Sequence, residues 1–240
     1  MITDDVAYVL HARPFRETSQ LVTLFSSASG RFNAVSRASR QSRSGNLLRP
    51  FVPLRIRWRG KSDLKSLSDV ELLRPALSLS GSRLYVGLYL NELLIRLLHE
   101  HESHSHLFER YAKTLEILAE ASEIEPVLRL FELALLDDLG YGLQLDVDME
   151  SGASVEPDQR YVFYPGEGVV LHRPGNKGLA IFSGEHLLAI CRWEFADVGV
   201  LRSAKQLTRL ALEPYLGNKP LHSRELFQGI AAGRVKSSAP

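Results

Sequence analysis

Residues Pro50 to Lys61 read PFVPLRIRWRGK. Taken alternately, Val52, Leu54, Ile56 and Trp58 fall on one side, and Phe51, Arg55, Arg57 and Arg59 on the other. A strand directs successive side chains to opposite faces. One face of this stretch can therefore enter a core while the other presents three guanidinium groups in a row. Like charges in a row repel, so such a row needs an anion or interspersed carboxylates. The preceding SRASRQSRSGNLLR adds Arg37, Arg40, Arg43 and Arg49, and no Asp or Glu occurs between Arg31 and Lys61. A sheet face and loop of this composition suit a polyanion, with a phosphate backbone as the first candidate.

Working outward, the strand signals gather at the front of the chain. Val6–His11, Gln20–Ser26, Arg31–Ser36, Phe51–Arg59 and Leu64–Leu73 are β-type runs separated by Arg13-Pro14, Ser29-Gly30, the Ser/Arg-rich loop 37–49 and Gly60-Lys61-Ser62-Asp63. Short strands at this spacing, with no helical period between them, predict a small closed barrel or a sandwich. Pro53 favours an edge or a bulge in the fourth run.

After Pro75 the pattern changes to leucine-rich helical spacing. Helices are expected over Arg83–His99, from a Ser105 cap to Ala121, and from Pro126 to a stop at Gly140, the three packing together as a bundle. Tyr161–Phe163 and Gly168–His172 read as a hairpin excursion at about 145–180. Ser183–Phe195 and a longer run from Asp197 to near Gly217 read as helices, and Ser223 as the cap of a last short one, RELFQGI. The expected class is α+β, with a barrel domain over 1–80 and an α-helical domain over 81–240 carrying the hairpin insertion.

The 240 residues have a net charge of only +1, but the halves differ. Residues 1–80 carry 13 Lys/Arg against 6 Asp/Glu, and residues 81–240 carry 16 against 22. A basic front and an acidic remainder indicate two modules with different partners. A single cysteine, Cys191, excludes an intramolecular disulfide and a cysteine-rich zinc site. The amino-terminal MITDDVAYVL lacks the basic and apolar regions of a signal peptide, and no stretch has the length of apolar residues a membrane helix needs. The expectation is a cytoplasmic protein with no membrane contact.

Arg37, Arg40, Arg43, Arg49, Arg55, Arg57, Arg59 and Lys61 are the candidate phosphate contacts, since arginine meets phosphate through a planar fork of donors. Phe51, on the arginine face, is the first candidate for base stacking; Phe15 and Phe32 follow it but are read equally as core. Trp58 shares the parity of Leu54 and Ile56 and is read as core. The competing reading, a solvated face, would require paired acids. Arg202, Lys205 and Arg209 fall within roughly 60° on one helix and form a second candidate track. An ordinary amphipathic surface helix competes equally there.

ARPFRETSQLVTLFSSASGRFNAVSRASR, LLRPFVPLRIRWRGKSDLKSL, RLFELALLDDLGYGLQL and AKQLTRLALEPYLGNKPLHSRELF, in this order, make the chain resemble the RecO family of bacterial recombination-mediator proteins over nearly its whole length. The resemblance implies an amino-terminal OB-fold and a helical domain in a nucleoid-associated protein that binds single- and double-stranded DNA. It also implies annealing of complementary strands and, with RecR, loading of RecA onto DNA coated by single-stranded-DNA-binding protein. Capture of that protein's acidic carboxy-terminal tail is implied as well, which needs an apolar pocket beside a cation. Arg129, with Arg110 and Lys113 behind it, is the candidate. A structural pair of Arg129 with Glu125 or Glu132 is the competing reading. Many members carry a four-cysteine zinc insertion after the GY element. Here LDVDMESGASVEPDQRYVFYPGEGVV has no cysteine, so no zinc is expected.

Other chemistry is weakly signalled. His99, His101, His104 and His106 fall at a predicted helix end and loop, where histidines are usually solvated. Asp137, Asp138, Asp146 and Asp148 read as helix-end and loop acids. Gly166-Glu167-Gly168 is too short for a nucleotide site, and no phosphate-loop or nucleophile-elbow motif occurs. No metal, no cofactor and no catalytic residue are expected. The alternatives to a DNA-binding mediator are an OB-fold adaptor that bridges proteins, with DNA contact secondary, and a metal nuclease, for which the basic module offers no converging carboxylates.

Overall fold

Residues 2–37, 43–175, 180–217 and 219–223 are described in this computed structural model. The front of the chain forms β1 (Ile2–Phe15), β2 (Ser19–Ser26), β3 (Gly30–Ser36), α1 (Arg43–Leu47), β4 (Pro53–Arg59) and β5 (Leu64–Leu72). The strands close into a barrel in the order β1-β2-β3-β5-β4, with β3 and β5 parallel and the other pairings antiparallel. This five-stranded arrangement is the OB type. β1 runs straight through Arg13-Pro14 and bends at a register shift between Val9 and His11, the kind of irregularity that lets one strand pair on both sides of a small barrel.

Alternate residues fill the barrel: Ala7, Val9, Val22, Leu24, Phe32, Ala34, Leu54 and Ile56 are all buried, with Leu48 packed among them. Leu48 follows α1, a helix that the composition of the 37–49 stretch does not signal. Gln20 Nε2 ties that helix to the wall by donating to the Gly45 carbonyl at 3.1 Å.

The outer face of β1 and β2 is apolar too, and this decides where the next helices go. Tyr8, Leu10 and Phe25 are buried beneath α2 (Ser82–Leu97) and α3 (Ser105–Glu120). Tyr111 meets Tyr8 edge-on at 5.3 Å between ring centroids, and Phe108 meets Phe25 at 5.4 Å. Buried Asn91 completes the seam. It donates to the Leu10 carbonyl at 3.0 Å and accepts from the Tyr111 hydroxyl at 2.6 Å. Ser105 is the first helical residue of α3. His104 stands at the cap position and makes no side-chain capping bond.

The histidine-rich stretch after α2 docks on β3. Arg31 Nε donates to the Leu98 carbonyl at 2.9 Å and its Nη1 to Glu100 at 3.0 Å, and the His101 amide donates to the Arg31 carbonyl at 2.8 Å. Gly30, at φ 66, has no room for a side chain: a Cβ there would lie 1.7 Å from the Glu102 carbonyl oxygen. Among the described residues no group of three or more His, Cys, Asp or Glu is placed to hold a metal ion.

By packing, the chain divides into a unit of residues 1–121 with the segment from 218 onward, and a second unit, Ser122–Gly217. The second holds α4 (Ile124–Asp138), β6 (Arg160–Tyr164), β7 (Gly168–Leu171), β8 (Ile181–Ser183), α5 (Gly184–Cys191) and α6 (Val198–Leu216). α6 packs on α4 and α5. The three leucine-rich helices thus do not form one group: α2 and α3 serve the barrel, and α4 serves α6. Pro126 lies in the first turn of α4, and the Asp197 carboxylate caps α6 by accepting from the Val200 amide at 2.9 Å. The expected hairpin is a three-stranded sheet, β7-β6-β8, whose third strand ends at Ser183. Ser183 caps α5 by accepting from the His186 amide at 3.3 Å, so that helix begins where its sequence predicts.

The cysteine-free excursion is organised by a carboxylate. Asp148, buried, accepts from the Ser151 hydroxyl and from the Glu150 and Leu171 amides at 3.3 and 3.2 Å. Burial works to raise its pKa, but these hydrogen bonds outweigh it and hold the carboxyl below its ordinary range.

In the first unit, Glu92 accepts from the His222 and Ser223 amides at 3.0 and 2.9 Å and from the Ser223 hydroxyl at 2.7 Å. Ser223 is therefore a donor to Glu92, and the helix expected after it lies outside the described residues.

Candidate nucleic-acid interface

β4 carries the alternation that its sequence implies: Leu54 and Ile56 are buried, and Arg55, Arg57 and Arg59 are exposed. The absence of acids within the stretch does not survive folding, because the barrel brings carboxylates in from both neighbours. Asp4 of β1 and Asp69 of β5 stand opposite Arg57 in the register. Their carboxylates approach its guanidinium at 3.2 and 3.5 Å. The hydrogen bond to Asp4, then the Asp4 and Asp69 charges, hold the Arg57 pKa above its ordinary value. Arg57 is thus a compensated cation. Arg55, Arg59 and Lys61 make no ion pair among the described residues, although Glu71 faces Arg55 across the ladder. The signal for this was the parity of Asp69 with Glu71 in β5, which only the register places beside β4.

The same register separates the candidates. Ile2 pairs with Arg59, and Asn33 with Leu64, so Arg59 and Lys61 lie at one end of the barrel. Phe15 pairs with Ser19, Gln20 with Ser36, and Val9 bridges Pro50. Arg37 and Arg49, both exposed, therefore lie at the other end. Arg43 begins α1, and Arg40 lies outside the described residues. The chain order joins what the barrel holds apart.

Phe51 requires a correction. It is 6 % exposed, and its ring lies so close under α2 that a Cβ on Gly87 would come within 2.8 Å of it. The strand begins at Pro53, and Phe51 has φ 67, so the alternation does not extend back to it. A ring in that position has no face for a base. Phe32 is fully buried. Trp58 packs on the barrel core with Phe32 at 5.1 Å and the Lys65 ammonium at 5.6 Å, consistent with its reading as core.

In the second unit Arg202, Lys205 and Arg209 are all exposed on α6, and Ala204, Leu207 and Ala211 are buried opposite them. Lys205 is paired with Glu125 at 2.8 Å. The unit carries eight Lys/Arg against fifteen Asp/Glu, whereas the barrel unit carries twenty-one against thirteen. The assignment of Arg129 to a peptide pocket is also corrected. Its side chain is 5 % exposed and bonded to Glu132 at 2.8 Å, and Thr208 bridges the two. A guanidinium enclosed in that way is a structural partner on the inner face of α4, where its spacing from Glu132 put it. Arg110 and Lys113 belong to α3, in the other unit, and Lys113 faces Glu116 at 3.5 Å.

Two cations absent from the candidate set flank the β1–β2 turn. Arg13 and Arg16 are exposed, and Arg16 shares with Arg37 the wall of a concavity of about 760 Å³ also lined by Glu17, Thr18 and Ser19. The ARPFRE sequence signalled them, but the strand period drew attention to β4.

Comparison with known proteins agrees with this architecture. Residues 1–76 match the family model for the recombination protein O N terminal, and residues 79–225 the model for its C terminal. The chain is 47% identical to the DNA repair protein RecO of Stutzerimonas stutzeri over 93% of both chains. It is 45% identical to that of Proteus mirabilis, over 94% of this chain and 92% of the relative. It is 40% identical to that of Actinobacillus pleuropneumoniae serotype 7, over 96% of both. With both domain models matched in order and relatives aligned nearly end to end, the chain belongs to the RecO family.

Proposed function

We propose that the chain is a DNA-binding recombination mediator that carries out no covalent step. It binds single- and double-stranded DNA through the barrel and anneals complementary strands. With RecR it helps load RecA onto DNA coated by single-stranded-DNA-binding protein, whose tail it captures at a site other than Arg129. Family membership supports the role in DNA repair and recombination. The observation that carries the DNA contact is the set of exposed barrel cations, Arg37, Arg49, Arg55, Arg59 and Lys61, that make no ion pair among the described residues. Such cations release condensed counterions from a phosphate backbone, giving affinity without sequence preference. Annealing requires only that two strands be held together with their charge reduced and their bases free. Arg40 and Arg43 are proposed as further phosphate contacts, and Arg202 and Arg209 as a second, weaker track. In this reading residues 1–80 hold the DNA contact and residues 81–240 the protein contacts. The division is one of function, and α2 and α3 remain packed on the barrel.

The test is the salt dependence of affinity for labelled single-stranded DNA. Changing Arg55 and Arg59 to Ala reduces the magnitude of the log–log slope by about 0.7 for each phosphate no longer neutralised. Arg57→Ala changes it less, because Asp4 and Asp69 already compensate that charge. An unchanged slope and affinity in a folded Arg55/Arg59 variant would instead support the adaptor reading, in which DNA contact is secondary. Divalent-metal-dependent cleavage of DNA by the purified protein would overturn the non-enzymatic assignment.

A further inference from the structure

The barrel's six aromatic side chains are Tyr8, Phe15, Phe25, Phe32, Phe51 and Trp58. Four are buried, and Trp58 is held between Phe32 and Lys65. Phe15 is different: it ends β1 half-buried, at the barrel end where Arg37 lies. The Arg16 guanidinium carbon sits 5.2 Å from the centre of its ring, on a backbone turned to φ 55. Non-glycine residues adopt that region at a conformational cost, and here it folds the guanidinium back over the preceding ring. The residues that follow Phe15 line an open concavity, Arg16 to Ser19 on one wall and Arg37 on the other. Neither arginine makes an ion pair among the described residues.

We infer that the β1–β2 turn is the element that distinguishes unpaired from paired DNA: Phe15 takes a nucleobase on its ring, while Arg16 and Arg37 hold the flanking phosphates. This rests on the DNA-binding reading and deepens it. Base–aromatic stacking tolerates any sequence because every base has a π-face. A duplex keeps its bases stacked on one another, so it can engage the arginines but not the ring. In the free protein Arg16 covers the ring, and an arriving base displaces it towards the adjacent phosphate. Glu17 is the one acid on the wall. It disfavours phosphate there and suits the amino edge of a base.

The experiment is a fluorescence-anisotropy titration of the full chain with a labelled thymidine oligomer and, separately, with a duplex of the same length. Phe15→Ala weakens single-strand binding on the order of 10-fold or more, the scale of a single base stack removed, and leaves duplex affinity unchanged. Phe15→Tyr restores single-strand binding. Arg16→Ala with Arg37→Ala lowers the single-strand salt slope by about 1.4, two phosphates at about 0.7 each. Equal loss for both DNA forms, no loss for either, or failure of Phe15→Tyr to restore binding would overturn the assignment. If Phe15→Ala does not fold, Phe15→Trp in a Trp58→Phe, Trp193→Phe background, where residue 15 carries the only tryptophan, is read instead. Its fluorescence is quenched by the oligomer and not by the duplex if the assignment holds, and is quenched by both or neither if it does not. Wild-type protein that binds neither DNA form overturns the DNA-binding reading itself, whereas normal wild-type binding with an indifferent Phe15 variant overturns only this inference.

Discussion

Replacing Arg129 by Met separates a structural role from a binding one. The methionine stem keeps most of the packing volume but removes the charge that pairs with the Glu132 carboxylate, itself at 2 % exposure, while the Thr208 hydroxyl bond of 2.6 Å stays in place. Breaking a buried pair from one side costs about 3–5 kcal/mol, because the surviving charge keeps its desolvation penalty and loses its compensation. With a urea dependence of about 1.5 kcal/mol per molar for a unit of this size, the midpoint falls by roughly 2–3 M. The two tryptophans make the measurement specific, since Trp58 lies in the barrel unit and Trp193 in the second. In a Trp58→Phe background, urea unfolding followed at Trp193 reports the second unit alone. Arg129→Met combined with Glu132→Leu recovers much of the stability, since an apolar pair of similar volume replaces a buried ion pair at little cost. A single variant whose midpoint stays within about 0.3 M of the parent, or a double variant no better than the single, would refute the structural account of Arg129.

Asn91→Leu removes the donor to the Leu10 carbonyl and the acceptor of the Tyr111 hydroxyl bond in the seam between barrel and helices. A loss of about 1–3 kcal/mol is expected, read as a lower urea midpoint at Trp58. Gly30→Ala meets the Glu102 carbonyl and a left-handed backbone at once; the 98–102 stretch is displaced, and amide exchange at His101, bonded to Arg31 in the parent, accelerates. Asp148→Asn removes a charged acceptor and destabilises the second unit by about 1–2 kcal/mol at neutral pH. Because the folded-state pKa of Asp148 is depressed, its contribution is complete above the ordinary aspartate range and is lost as pH falls through the folded value. The stability gap between variant and parent should therefore close in acid, and a gap that widened as pH fell would contradict the carboxylate's role.

Periodicity was enough to identify the barrel strands, the leucine-rich helices and the exposure of Arg55, Arg57 and Arg59, because each depends on which face of a local element a residue occupies. Asp197 as the start of α6 and Pro126 as a first-turn residue were legible for the same reason. Phe51 was misread where the local rule ended: a positive φ just before Pro53 resets the alternation. The short α1 was missed because its five residues are too few to show a period.

What the sequence by itself determined is the set of elements, their amphipathic faces, the charge asymmetry along the chain and the family. What only the tertiary structure decided is which faces meet. Barrel closure set Asp4 and Asp69 on either side of Arg57 and sent Arg37 and Arg59 to opposite ends. The outer aromatics Tyr8 and Phe25 drew α2 and α3 onto the barrel, and Arg129 was enclosed with residues 3 and 79 positions away. Alternation and helical period act over a few neighbouring residues, whereas compensation of charge and coverage of apolar surface depend on distance in space. That distance exists only once the strands have paired.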